Sequence, residues 1–147
     1  MLIKKLSDNF SLSGALGLDD LITLKKSGVD TIINVRQDDE EPQQINSTIY
    51  QHTAERHGMH YVFIPVKSLE YPATAISQFS QAISGSGHNI HGFCRSGKRI
   101  SHLWALSQVS TKPLSEIVTD CALIGIDLSD ILPQLQLLAG HRHSIDQ

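Results

Sequence analysis

His91-Gly92-Phe93-Cys94-Arg95-Ser96-Gly97-Lys98-Arg99 is the stretch on which the reading of the whole chain turns. Asn89-Ile90 lead into it, and Ile100-Ser101-His102-Leu103-Trp104-Ala105-Leu106 follow at helical spacing. The pattern predicts a strand, a tight loop and a helix, with one cysteine at the strand's end and three cations close behind it. A loop that closes onto a helix N-terminus turns backbone N–H groups inward, and the helix dipole adds partial positive charge. An anion is stabilised in that position. A thiol is acidified there, because the dipole and the neighbouring Arg and Lys all favour the thiolate. The expected product is an anion-binding loop of Arg95, Ser96, Gly97, Lys98 and Arg99 around a Cys94 nucleophile. Gly97 suits a turn with positive φ or a close backbone approach. Arg99 can fork around two oxygens at once, which a lysine could not do.

Upstream, residues 2–6 and 10–13 flank Ser7-Asp8-Asn9 and predict a small N-terminal hairpin. Leu18, Leu21, Ile22 and Leu24 predict a helix over 18–26 stopped at Gly28. Residues 29–35 form a β-branched run suited to a buried parallel strand, and an acidic loop, 36–42, follows it. A second helix is expected from Asn46 or Ser47, with Ile49, Tyr50, Thr53, Ala54 and His57 on one face. A strand over 60–64 and a loop over 67–72 come next. Then a helix turns Ala75, Ile76, Phe79, Ala82 and Ile83 inward, and Gly85-Ser86-Gly87 makes a flexible turn. Downstream, Pro113 opens a helix striped by Leu114, Ile117, Val118, Cys121 and Ala122 and ended by Gly125. Ser129 is expected to cap a last helix through Leu138, with a loose polar tail from Gly140. Strands alternating with helices predict an α/β fold with a mainly parallel central sheet flanked by helices. In such a sheet the loops after the strands share one edge, where ligands bind. Loops 36–42, 67–72 and 94–99 are therefore expected to meet.

The chain has 147 residues, enough for one domain (residues 1–147, core about 6–138) that buries a core without staples. A net charge of −3 argues against nucleic-acid or polybasic membrane binding and makes the Arg95/Lys98/Arg99 cluster local. Two cysteines cannot build a disulfide framework and suit a reducing cytoplasm, and no leader-like apolar segment is read at the start. The eight histidines are scattered, without carboxylate or thiol partners at ligand spacing, so neither a metal nor another cofactor is expected. They read as surface residues. Cys121, inside an apolar stripe, reads as core.

Three segments in order resemble a known family: Ile32-Ile33-Asn34-Val35-Arg36 with its acidic sequel, Tyr61-Val62-Phe63-Ile64-Pro65-Val66, and Cys94-Arg95-Ser96-Gly97-Lys98-Arg99. The family is the beta-lactamase-hydrolase-like, phosphatase-like domain group, of the dual-specificity/tyrosine phosphatase-like fold. The likeness runs from about Leu6 to Leu138. It implies a cysteine-dependent site in which Cys94 matches the nucleophile and Arg99 the oxyanion-binding arginine. Members are described both as phosphatases and as sulfur transferases.

The sequence departs from true tyrosine and dual-specificity phosphatases in three respects. Four residues, not five, separate Cys94 from Arg99; Phe93 stands where they have histidine; and Lys67-Ser68-Leu69-Glu70 has no aspartate in the general-acid loop. A phosphatase would use Cys94 to form a phosphocysteine, and Glu70 is the nearest candidate acid, with Asp38, Asp39, Glu40 and Glu41 behind it. Arg36, Asp38 and Asp39 are candidate substrate contacts. The short loop also resembles that of rhodanese-type sulfurtransferases, where a compact Cys94 persulfide needs no general acid. Two further readings stand beside these: a non-catalytic oxyanion-binding module, and a nucleotide-binding loop. The last is disfavoured because Arg99 occupies the position of the Mg²⁺-binding hydroxyl. The partner common to the enzyme readings is a small anionic substrate, a phosphate ester or a sulfane-sulfur donor.

Overall fold

The computed structural model describes residues 1–84 and 87–146, the last six of these by backbone alone. Five strands form one sheet: β1 (Lys4–Ser7), β2 (Phe10–Ser13), β3 (Thr31–Asn34), β4 (His60–Phe63) and β5 (Ile90–Phe93). Their order is β1-β2-β5-β3-β4, antiparallel only between β1 and β2. The expected hairpin is thus the edge of the main sheet. β5 lies between β2 and β3, so the cysteine loop leaves from the middle of the sheet.

Among the described residues six α-helices cover the two faces: α1 (Leu18–Lys26), α2 (Ser47–Arg56), α3 (Ala73–Ile83), α4 (Lys98–Gln108), α5 (Leu114–Leu123) and α6 (Leu132–Asp146). Strand alternation sorts the core. Ile32 and Phe93 pack with Leu21, Leu24, Tyr50 and Ala54 beneath α1 and α2. Ile33 and Ile90 pack with Phe79, Ile100, Leu103 and Ile117 beneath the other helices. Gly92 is confined by this second layer, since a Cβ there would come within 2.6 Å of the Ile100 side chain. Valine at Gly92 would force α4 off the sheet.

Local signals explain the helix starts. Asn46 accepts the Ile49 N–H at 3.2 Å and caps α2 as its sequence suggests. In α1, Asp19 and Asp20 lie in the first turn and Lys25 and Lys26 in the last, each sign matching the helix dipole. Four expectations need correction. In α2 the buried face is Ser47, Tyr50 and Ala54, whereas Ile49 is exposed. Ser129 caps no long helix: it opens a 3-10 turn, Ser129–Ile131, and its N–H and hydroxyl both donate to Asp127. The backbone stays helical past Gly140, to Asp146, where a loose tail was expected. Of the turn expected at Gly85-Ser86-Gly87, the first two lie outside the described residues, while Gly87 has φ 88°.

The histidines supply the fourth correction, because His91 and His102 are fully buried. Burial pushes each imidazole down to about 4, against an ordinary value of 6.5. Both are therefore neutral in the folded protein, and between pH 6.5 and 4 the unfolded chain binds protons that the folded chain refuses. Stability is unaffected by these groups above that window, falls as pH drops through it, and levels off for them below it. Each unit costs about 1.4 kcal/mol per histidine. Melting curves from pH 7 to pH 4 are expected to show a steady decline beginning well above the carboxylate range. A Tm constant to pH 4.5 would contradict it.

Candidate active site

Strands β3, β4 and β5 run in parallel, so the segments following Asn34, Phe63 and Phe93 emerge at one edge, as expected. Cys94 stands at the end of β5 with its side chain fully buried. The chain then turns through Arg95 and Ser96 to Gly97, whose φ of 93° is left-handed and which serves as the N-cap of α4. That turn brings the Gly97 N–H to within 3.2 Å of the Cys94 sulfur, to which it donates. The thiol thus lies under the N-terminus of the most buried helix.

Arg99, one residue into α4 and 8% exposed, reaches across to the other two loops. It donates to the Val66 carbonyl at 2.9 Å and to both carboxylate oxygens of Glu40, at 2.5 and 2.8 Å. On its far side Glu40 is held by Arg36 Nε at 2.9 Å. Arg36 passes its other arm to Glu41 at 2.9 Å, and Glu41 meets Arg95 at 2.5 Å. The result is an alternating chain, Arg99–Glu40–Arg36–Glu41–Arg95, that fastens the acidic loop over the cysteine loop at two points. Hydrogen bonding from Arg99 is the main reason the Glu40 carboxyl is held down at about 2, and the same contact raises the Arg99 guanidinium.

Loop 67–72 is fixed from beneath by Tyr71, whose hydroxyl lies 2.8 Å from His102 Nδ1 on α4 and whose carbonyl accepts from Gln134 of α6. Burial pushes the Tyr71 phenol up to about 12. Among the described residues His102 Nε2 is buried with no hydrogen-bond partner. Above the cysteine loop lies a concavity of about 460 Å³ lined by Gln37, Glu40, Lys67, Ser68, Arg95, Ser96, Lys98 and Arg99. Four cations and one carboxylate surround it, so it suits an anion.

The structure brings together Cys94, the loop 95–99 and the acidic segment, but not every expected residue. Arg36 is 4% exposed, engaged by Glu40 and Glu41, and does not line the concavity. Asp38 accepts the Ser47 N–H at 2.8 Å and steadies the start of α2. Asp39 has φ 61° in the turn, and neither aspartate lines the concavity. Glu70 is exposed and lines an adjoining hollow with Gln37 and Lys67, which border both. Among the described residues no group of three or more His, Cys, Asp or Glu is placed to hold a metal ion. No described helix is long and apolar enough to cross a membrane.

Sequence reasoning missed the other wall of the loop. Ser13-Gly14-Ala15, at the end of β2, runs against Arg95-Ser96-Gly97, and the Ala15 N–H donates to the Arg95 carbonyl at 3.0 Å. A Cβ on Gly14 would stand 2.9 Å from that carbonyl. The available signal was Ser11-Leu12-Ser13-Gly14, small polar residues alternating into a glycine beside the sheet's centre.

Comparison with known proteins agrees with this geometry. A 34% identical relative, a beta-lactamase hydrolase-like protein of Xylella fastidiosa, aligns over 74% of this chain and 25% of its own length. The chain therefore spans about a quarter of the curated relatives it matches. The crystal structure of a candidate phosphatase from Neisseria meningitidis is 25% identical and superposes with a TM-score of 0.78 over 91% of this chain and 96% of the other. Tk-PTP in its active form, 13% identical, shares the fold with a TM-score of 0.76 over 95% of this chain and 97% of its own. The family described as beta-lactamase hydrolase-like protein, phosphatase-like domain matches residues 3–111, from β1 through the cysteine loop and α4. With strand order, loop and family match in agreement, the chain belongs to that phosphatase-like domain family, with the α/β fold of the tyrosine and dual-specificity phosphatases.

Proposed function

We propose that this domain hydrolyses a phosphate monoester through a phosphocysteine on Cys94. One observation carries the reading: the Cys94 sulfur lies under the N-terminus of α4 with Gly97 N–H donated to it, and the loop that follows it, through Arg95, Ser96, Lys98 and Arg99, lines a cation-rich hollow. In the first step the Cys94 thiolate attacks phosphorus, an S–P bond forms, and the P–O bond to the leaving oxygen breaks. Loop amides and Arg99 hold the charge on the three equatorial oxygens, the contribution that dominates such reactions. Water then attacks phosphorus, the S–P bond breaks, and inorganic phosphate leaves.

The leaving oxygen needs a proton, and Glu70 is the carboxyl group proposed to give it. Glu40 lies closer to the loop but stays ionised down to about pH 2, so it has no proton to donate near neutrality. Glu70 carries none of the ion pairs that immobilise Glu40 and Glu41, and the hollow it lines shares two residues with the site.

The test is hydrolysis of two substrates by wild type, Cys94→Ser and Glu70→Gln. Cys94→Ser is expected to lose both activities. Glu70→Gln should lose about 10²–10⁴-fold on an alkyl phosphate while largely keeping activity on 4-nitrophenyl phosphate, whose leaving group departs without a proton. Turnover surviving in Cys94→Ser would remove the cysteine mechanism. Equal losses on both substrates would remove Glu70 as the acid.

A second reading, sulfur transfer through a Cys94 persulfide, is favoured by the position of Glu70 outside the concavity over the loop. A persulfide needs no general acid. Thiocyanate formed from thiosulfate and cyanide, and lost in Cys94→Ser, would select it.

A further inference from the structure

We infer that His91 is a positioning residue for the cysteine loop, acting through Ser13 and the Gly14–Ala15 peptide to turn the Ser96 N–H into the anion cradle. The inference rests on reading that loop as an anion cradle, and the residues it newly assigns, His91, Ser13 and Gly14, lie three or more positions from Cys94. His91 lies on β5, fully buried on the sheet face that also carries Ser11, Ser13 and Asn34, and both of its ring nitrogens are engaged by β2. Ser11 Oγ is 2.7 Å from Nδ1 and Ser13 Oγ is 2.8 Å from Nε2.

The direction of these bonds follows from counting protons. Ser13 has one hydroxyl proton, and it is donated to the Gly14 carbonyl at 2.9 Å. With the proton placed there, the His91 Nε2–H donates to Ser13 Oγ and Nδ1 accepts the Ser11 hydroxyl proton, the tautomer the relay requires. The imidazole is neutral, as burial requires. The run of donors then reaches the loop. The Gly14 carbonyl and the Ala15 N–H belong to one planar peptide and point in opposite directions. With its carbonyl fixed by Ser13, that peptide presents the Ala15 N–H to the Arg95 carbonyl at 3.0 Å.

The same planar argument applies once more. The Arg95 carbonyl and the Ser96 N–H share a peptide, so a carbonyl held toward β2 sends the N–H the other way, toward the hollow above Cys94. Gly14 allows the close approach, for any side chain there would displace the Arg95 carbonyl. A buried histidine between two serines thus sets the orientation of the Ser96 amide of the cradle. A short loop has few inward amides, and each counts more.

The test uses inorganic phosphate as the probe and the Ser96 amide resonance as the readout, in a chain of 16.2 kDa that suits such spectra. In wild type the Ser96 amide proton should move downfield as phosphate is added. Ser13→Ala breaks the relay at its centre and should abolish that shift and weaken phosphate binding by about tenfold, the equivalent of one hydrogen bond. Ser13→Thr keeps the hydroxyl and should restore both. Ser11→Ala is a milder variant at a half-exposed position, in case Ser13→Ala does not fold. Without the Ser11 proton the imidazole can adopt its other tautomer, Ser13 turns its hydroxyl to Nε2, and the Gly14 carbonyl loses its donor. The Ser96 shift should then shrink while Tm changes little. If these variants lower Tm but leave the Ser96 shift and phosphate affinity intact, His91 is a packed core residue and the inference is overturned. The readout does not depend on turnover: a wild type that shifts Ser96 but hydrolyses nothing removes the proposed phosphatase activity and leaves the relay standing.

Discussion

Arg99→Lys is expected to lower kcat by about 10²–10³-fold, the loss typical of removing an aligned oxyanion donor. Charge is conserved in this change, so a purely electrostatic role would leave activity nearly intact. What disappears is the planar fork. Arg99 currently spends one nitrogen on the Val66 carbonyl and presents both arms to the two oxygens of Glu40. An ammonium can satisfy neither arrangement in full. Its single charge centre would follow Glu40 or the substrate, but not both. The change should appear in kcat more than in KM, because equatorial oxygens carry the most charge in the transition state. Near-normal turnover in Arg99→Lys would take this residue out of the chemistry.

Removing Glu40 should have the largest effect on stability. Arg36 and Arg99 are 4% and 8% exposed, and Glu40 stands between them, 20% exposed. Glu40→Gln keeps the shape and removes the charge, so two buried guanidinium groups face each other with only Glu41 in support. Breaking a buried pair from one side costs about 3 kcal/mol or more, which for a domain of this size lowers Tm by about 10 °C. The variant offers its own control. With the carboxylate gone, an oxyanion should take its place on Arg99, so inorganic phosphate should raise the variant's Tm more than the wild type's. At a hundred times its dissociation constant a ligand adds about 2.7 kcal/mol. An unchanged Tm in Glu40→Gln, or equal phosphate effects in both proteins, would mean that the Arg99–Glu40–Arg36 chain does not hold the loops together.

The sheet was legible because its signals are local. The β-branched run over 29–35 and the apolar approach to Cys94 suit burial within a sheet, and Asn46 carries its own capping chemistry. The cysteine loop was legible for the same reason, since Cys94, Gly97 and Arg99 lie within one turn of chain. What escaped depends on contacts between distant segments. Nothing adjacent to Glu40 shows that its carboxylate will be claimed by Arg99, fifty-nine residues away. The same holds for Arg36, whose burial between Glu40 and Glu41 no neighbouring residue announces. His91 and His102 read as surface residues because nothing near them in sequence reveals Ser11, Ser13 or Tyr71 as their partners. Glu70 lies in the loop that the sequence singled out, and the anchoring of its neighbour Tyr71 to α4, which the sequence could not show, leaves it lining the hollow beside the site.

The most direct test of the central claim is the mass of the covalent species on Cys94. Rapid acid quenching during turnover of a phosphate monoester, followed by intact-mass and peptide analysis, traps whatever group the sulfur carries. A gain of about 80 Da on the peptide containing Cys94, absent in Cys94→Ser, is the result expected for a phosphocysteine. A gain of about 32 Da after incubation with a sulfane-sulfur donor, with no phosphoryl adduct under any condition, would contradict it and assign the thiol to sulfur transfer.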